Sequence, residues 1–344
     1  MKKNHLVPEL FLRMLNRVCS RKRLIILCPI VIISSLILAG SFGCSSNHNQ
    51  ALRDWMNDNG KIKVLSTTRQ INDLVSEIGG PRIDSWTLIQ GALDPHSYEM
   101  VKGDGEKIDR ADIIFYNGLG LEHGASLSAS IVSSNRAFSM GEWIQIYHPD
   151  QLLYIGQAID PHIWMDISLW RQASIGILDR LIQFDPDGAE EYRERANVLW
   201  ARMDRVHEEI RELLLGIASE RRYFVTSHDA FQYFTRAYLK EGNEQNWADR
   251  FAAPEGLAPD GQLSPVDIQR ILDFLQLHRV SVLFAESNVS RDSLSKIAIS
   301  AREWGFQVKI CDEPLYADAM DCRLHYLEMM SHNARTIAKN LEMQ

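Results

Sequence analysis

The feature that most constrains this chain is a run of apolar residues at helical spacing between positions 186 and 219. Ala196, Leu199, Met203, Val206, Ile210, Leu213 and Ile217 recur at intervals of three and four with charged residues between them. One face is therefore suited to burial and the other to water. About 30 helical residues rising 1.5 Å each make a rod of ~45 Å, longer than one small lobe needs. A helix lying along the surface of a single domain satisfies the same pattern. A coiled coil is disfavoured, because the repeat lasts only about four heptads and stands between two segments that alternate strands and helices. The pattern predicts a rod linking two lobes.

On the N-terminal side of the rod, Lys61-Ile62-Lys63-Val64-Leu65-Ser66-Thr67 reads as a first strand, and residues 71–78 as a helix stopped by Gly79-Gly80. A strand at 86–89, a turn at Gly91 and Asp94-Pro95, a charged helix at 103–110 and an apolar strand at 113–116 follow. Residues 147–160 carry turns and short strands, 167–184 a helix, and Asp185-Pro186-Asp187 ends it and starts the rod. Beyond the rod, Tyr223-Phe224-Val225-Thr226 opens a second series: helix 264–277, strand 280–284, helix 291–304, strand 308–310 and a closing helix at 322–341. Such alternation means an α/β fold of two lobes, each a mostly parallel sheet flanked by helices. A chain of 344 residues, 45% of them hydrophobic, has room for both cores. The expected division is an N-terminal lobe at 60–185, the linking helix at 186–219 and a C-terminal lobe at 220–344.

The first 43 residues belong to neither lobe. Lys2, Lys3, Arg13, Arg17, Arg21, Lys22 and Arg23 face a single acid, Glu9, and lead into an apolar run at 24–39. That run falls short of the roughly 20 residues of a bilayer span but fits the apolar core of an export signal; Met14 would give it a more compact start. Leu38-Ala39-Gly40-Ser41-Phe42-Gly43-Cys44 looks like a lipoprotein signal, with Cys44 the lipid-bearing residue and 44–59 a flexible tether. A signal anchor, or ordinary cleavage nearby, is the alternative. The expected location is periplasmic, with anchoring to a membrane through Cys44. Removing the signal takes the net charge from -8 to about -14, so the body repels nucleic acid and offers no basic stripe for it. The mature body is expected to be soluble and monomeric.

Three histidines stand just past predicted strands: His96 in Asp94-Pro95-His96, His162 in Asp160-Pro161-His162 and His228 in Thr226-Ser227-His228. Asp318, in Pro314-Leu315-Tyr316-Ala317-Asp318, is a fourth candidate. Loops at the carboxyl ends of strands converge on ligand clefts in α/β proteins. Three neutral imidazoles and a carboxylate would hold a divalent ion at a net charge of about +1, a donor set suited to zinc, manganese or ferrous iron. In the repeated Asp-Pro-His, proline fixes the backbone before the imidazole, and the aspartate can bond the turn or orient a ring nitrogen.

These motifs, with Gly91-Ala92-Leu93 before the first, the loop Asn117-Gly118-Leu119-Gly120-Leu121-Glu122, Ile163-Trp164, Phe231, Tyr233, Phe234 and Glu286 after an apolar strand, resemble those of a known family. It is the metal-binding receptor (solute-binding) family of bacterial ABC importers for zinc, manganese and iron, and the chain looks most like the chlamydial member. The resemblance covers residues 60–342. It implies that His96 and His162 from one lobe and His228 and Asp318 from the other bind one divalent transition metal ion per chain, which a membrane permease receives. It makes Glu286 a cleft residue supporting His228. Trp164, with Tyr98 and Tyr316, is expected to line the cleft, and Asp160 to support His162. The histidine-rich loop common among the zinc importers is missing; only His123 and His148 lie between the first two motifs.

Cys311 and Cys322, the only cysteines of the body, bracket Asp318, and an exported protein can join them in a disulfide. Two competing classes remain. A secreted metal-dependent hydrolase would need an open coordination position and a nearby base, and the chain has no His-Glu-x-x-His. An adhesion or scaffold protein would hold the metal as a structural element. No Gly-x-Gly-x-x-Gly follows the Val64 or Ile113 strand, which disfavours a dinucleotide enzyme. The expected activity is capture without catalysis.

Overall fold

The computed structural model describes residues 50–259 and 263–342; the expected export signal and Cys44 lie outside them. Residues 50–56, assigned above to a flexible tether, are helical. A Gln50 to Asp54 hydrogen bond of 2.8 Å spans one turn of that segment.

The N-terminal lobe runs β1 (Ile62–Ser66), α1 (Arg69–Gly79), β2 (Ile83–Thr87), α2 (Asp104–Arg110), β3 (Ile113–Tyr116), α3 (Ala125–Val132), β4 (Ala137–Ser139) and α4 (Met140–Tyr147). Its strands are parallel in the order β2-β1-β3-β4. Val64, Leu65, Ile113, Ile114 and Phe115 are buried, as strands covered by helices on both faces require. An antiparallel hairpin of β5 (Tyr154–Ile155) and β6 (Ala158–Ile159) precedes a 3-10 turn at Ile163–Met165 and then α5 (Ile167–Phe184). Asp166 caps α5, accepting from the Ser168 amide at 2.9 Å.

The rod is α6 (Ala189–Leu215), 27 residues long and so ~40 Å. It is shorter than expected because Pro186–Gly188 and Ser219–Arg221 take 3-10 turns. Its buried stripe includes Ala196, Leu199, Met203 and Ile210 as anticipated, but continues through Leu214 while Leu213 stays 38% exposed. Both positions lie near one stripe, three and four residues past Ile210, and the helix turns the later one inward.

The C-terminal lobe runs β7 (Phe224–Val225), α7 (Gln232–Tyr238), β8 (Phe251–Ala252), α8 (Pro265–His278), β9 (Val282–Leu283), α9 (Asp292–Glu303), β10 (Lys309–Ile310) and α10 (Tyr326–Leu341). The closing helix begins at Tyr326 rather than Cys322. The strands are parallel in the order β8-β7-β9-β10. Counted within each lobe, both sheets follow the same order: second, first, third, fourth.

One continuous core joins the lobes. It contains Val64, Ile71 and Phe115 of the first, Leu199 and Met203 of α6, and Phe224, Val282 and Phe284 of the second. Val225 and Leu283 point the other way, into a smaller cluster with Ile271, Leu275, Leu294 and Ile297 of α8 and α9. Neighbouring residues of β7 and β9 thus serve opposite faces, as strand geometry dictates. Helix α6 packs against α1, α5 and α10. Among the described residues no helix is long and apolar enough to cross a membrane.

Candidate metal centre

In each sheet the chain leaves the first strand toward one edge and later returns to build toward the other. Loops at the carboxyl ends of strands around this reversal are the natural place for a ligand. His228 follows β7 directly, and Glu286 lies just past β9, where a bridge to Leu315 prolongs the sheet. Asp318 sits on the loop after β10. From the other lobe come His96, in the turn after β2, and His162, after the β5–β6 hairpin.

The structure brings together the four residues singled out from the sequence. One donor atom from each of His96, His162, His228 and Asp318 lies within 4.8 Å of every other, and all four residues are buried. The Nε2 atoms of His96 and His162 are 3.3 Å apart. Asp318 Oδ1 is 3.3 Å from His162 Nε2 and 3.9 Å from His96 Nε2, and Asp318 Oδ2 is 3.1 Å from His228 Nε2. A tetrahedral ion with metal–ligand bonds of ~2.0–2.1 Å separates its donors by ~3.3–3.4 Å, so three of these four spacings suit an ion at the centre. Both Asp318 oxygens and His228 Nε2 are buried without a hydrogen-bond partner among the described residues. Such atoms are costly unless something satisfies them, and a cation does so for all three.

The carboxylates behind the histidines differ. Both Asp-Pro-His turns close on themselves, the Asp94 carboxylate accepting from the His96 amide at 2.9 Å and Asp160 from the His162 amide at 3.0 Å. Asp160 also reaches His162 Nδ1 at 2.7 Å, whereas Asp94 takes the Ser97 hydroxyl at 2.6 Å. Glu286 accepts from the Ser227 and His228 amides, both at 3.0 Å, and its other oxygen stands 2.5 Å from His228 Nδ1. Protonation follows this division. Burial lowers the His96 pKa to about 4, with Asp318 opposing it. Burial acts the same way on His162, but the charge and hydrogen bond of Asp160 outweigh it and lift that group to about 9. His228 is raised well above its ordinary value, Glu286 and Asp318 overcoming desolvation. Asp318 is held well below the carboxylate range despite its burial, first by His228.

Around the donors, Trp164 is buried and gives its indole N–H to the Ala317 carbonyl at 3.1 Å. Tyr98 bonds Asp104 at 2.8 Å and the half-buried Tyr316 packs against His332. His123 lies beside the His96 ring, centroids 5.6 Å apart, but is exposed and outside the cluster.

The expected disulfide is corrected: Cys311 and Cys322 are both free thiols. Cys311 is buried where its amide donates to the Leu283 carbonyl, and Cys322 is exposed, its carbonyl accepting from Arg69 of α1. The loop between them runs from the C-terminal sheet to the other lobe, which separates the two sulfurs.

Sequence reasoning missed Gln70, whose side-chain amide donates to the carbonyls of Ala317 and Asp318 at 2.9 and 3.0 Å. Its signal was a polar residue on the apolar face of α1, in phase with Leu74 and Ile78, all three buried.

Residues 64–340 match the family model described as zinc-uptake complex component A, periplasmic. The metal-binding protein YtgA of Chlamydia trachomatis is 37% identical over 89% of this chain and 93% of its own length. The crystal structure of Fe(III)-bound YtgA from that organism superimposes with a TM-score of 0.78, covering 82% of this chain and 98% of that one. The periplasmic zinc-binding protein TroA of Treponema pallidum, at 28% identity, gives a TM-score of 0.74 over 82% of this chain and 99% of its own. The manganese-binding lipoprotein MntA of Bacillus subtilis is 29% identical over 82% of this chain and 90% of its own length. This chain belongs to the zinc-uptake complex component A family of metal-binding solute receptors.

Proposed function

We propose that the chain captures one transition metal ion between its lobes and hands it to the permease of an ABC importer, with His96, His162, His228 and Asp318 as the ligands. The observation that carries this reading is the convergence of two donors from each lobe into one buried cluster. The units proposed are the N-terminal lobe at 60–185, the linking helix at 186–219 and the C-terminal lobe at 220–344. The cargo is iron, manganese or zinc, the metals named for YtgA, MntA and TroA. A three-nitrogen, one-oxygen set accepts any of them, and divalent affinity rises from manganese to iron, with zinc above both. Because YtgA is described with Fe(III), the trivalent ion belongs beside the divalent ones.

Capture without catalysis fits four buried donors gathered round one point. Asp160 and Glu286 are engaged with imidazoles and backbone, so neither serves as a base for a metal-bound water. All four ligands come from one chain, so a monomer suffices. The family description is periplasmic and MntA is named a lipoprotein, which favours export with Cys44 as the lipid anchor.

Elemental analysis of the chain purified without added metal or a histidine tag tests the site. One ion per chain, lost in both His162→Ala and Asp318→Ala, is the expected result; undiminished occupancy in both variants rejects the ligand set.

A further inference from the structure

The Asp318 side chain meets only the imidazoles it shares the centre with, so what holds it there from outside the donor cluster is its backbone. That backbone changes allegiance within two residues. Leu315 is bonded to the C-terminal sheet, its amide to Ala285 and its carbonyl from Ser287, both at 2.9 Å. Tyr316 is held by Asn333 of α10 through both its amide and its carbonyl, at 2.9 and 2.6 Å. The next two carbonyls, of Ala317 and Asp318, accept instead from Gln70 of α1 and Trp164, donors of the N-terminal lobe. The ligand that the C-terminal lobe supplies by sequence therefore hangs from the other lobe, and between Tyr316 and Ala317 the chain passes from the bonds of one lobe to those of the other.

We propose that Gln70 is a positioning residue for the ion: its side-chain amide latches the Asp318 loop to the N-terminal lobe and so sets how long the ion stays. The proposal rests on the ligand assignment above. Gln70 is 2% exposed, so water does not replace its two bonds when they are lost, and an unpaired buried carbonyl then opposes the closed arrangement. Trp164 is the weaker half of the latch, since it bonds Ala317 alone. Releasing both carbonyls frees Asp318 to withdraw from the imidazoles while Leu315 and Tyr316 stay in the C-terminal lobe. This ties loss of the ion to lobe separation in one step.

The test is stopped-flow release of Zn²⁺ from the purified chain into a chromophoric chelator, for the parent, Gln70→Leu, Trp164→Phe and Asp318→Ala. Leucine keeps the volume of Gln70 and cannot donate. Gln70→Leu is expected to bind one ion at the parent association rate and release it on the order of tenfold faster. Trp164→Phe should shift release in the same direction by less, and the rise in melting temperature on adding Zn²⁺ should shrink in both. Release at the parent rate in both variants overturns the latch. So does Gln70→Leu lowering the melting temperature of ion-free and loaded chains equally with release unchanged, the mark of a merely structural residue. Should Gln70→Leu fail to fold, Trp164→Phe decides by the same measurement. A parent that binds no Zn²⁺, or Asp318→Ala that holds it as the parent does, instead rejects the ligand assignment itself.

Discussion

Glu122 and Glu286 lie just beyond the third strand of their respective sheets, and the two lobes use them differently. Glu122 accepts from the Asn117 and Gly118 amides at 2.8 and 3.0 Å and from the Thr67 hydroxyl at 2.7 Å, so it ties the ends of β3 and β1 together. Gly118, at φ 74, makes the turn that presents its amide. Burial pushes the Glu122 pKa up against those bonds. Glu286 likewise ties the end of β7 to that of β9, but the residue it holds there is His228, and its second oxygen turns to that imidazole. One carboxylate fastens the ends of two central strands; the other does the same and orients a donor. A shared topology therefore fixes where a buried carboxylate is needed, and the residue at the end of the first strand, Thr67 or His228, decides whether that carboxylate also serves a ligand.

The lobes would be independent units if each kept its own core, and the largest prediction tests this. Leu199→Ala removes a fully packed side chain from α6 in the core shared by both lobes and should cost about 2–5 kcal/mol. Denaturant unfolding should move as one transition; two separated transitions would show that the lobes are held apart energetically despite their continuous core. Next in size is the contrast between the carboxylates. Glu286→Gln and Asp160→Asn each remove the charge behind a ligand imidazole and should weaken ion binding by about 10- to 100-fold in competition titrations. Glu122→Gln should leave affinity unchanged and lower unfolding free energy by about 1–3 kcal/mol. An affinity loss in Glu122→Gln equal to that in Glu286→Gln would erase the distinction.

Much of this was legible in the chain. The four donors stand in loops after apolar runs, and the stripe on α6 and both strand–helix alternations follow hydrophobic period alone. Their convergence into one site came from the resemblance, since nothing local to Asp94-Pro95-His96 says that Asp318 lies near it. Short strands escaped: β4 is Ala-Phe-Ser and β8 is Phe-Ala, too brief for any period to register, and sheet pairing rather than local preference makes them strands. The disulfide expectation failed for a related reason. Eleven positions separate Cys311 from Cys322, but the loop between them crosses from one lobe to the other, bound by Gln70 and Arg69 of α1. Contacts joining residues some 250 positions apart, such as these, leave no pattern in a single sequence.

The smallest prediction concerns the rim of the same interface, where the contact is exposed and the charges titrate. His325, just before α10, gives Nδ1 to Asp73 of α1 at 2.8 Å with its side chain 61% exposed. The hydrogen bond to Asp73 and then its charge raise the His325 pKa. Because the folded value exceeds the unfolded one of about 6.5, this pair stabilises fully below that pH and loses its contribution as pH rises through the folded value. Exposure and salt limit the effect to about 0.3 kcal/mol. His325→Gln keeps a donor toward Asp73 without the titration. The parent should therefore lose about that much relative to the variant between pH 5.5 and pH 9 in paired denaturant titrations, and less in ~0.5 M salt. A difference that stays constant with pH would show a neutral hydrogen bond at the rim, leaving the buried bonds from Gln70 and Trp164 to bear on the ion.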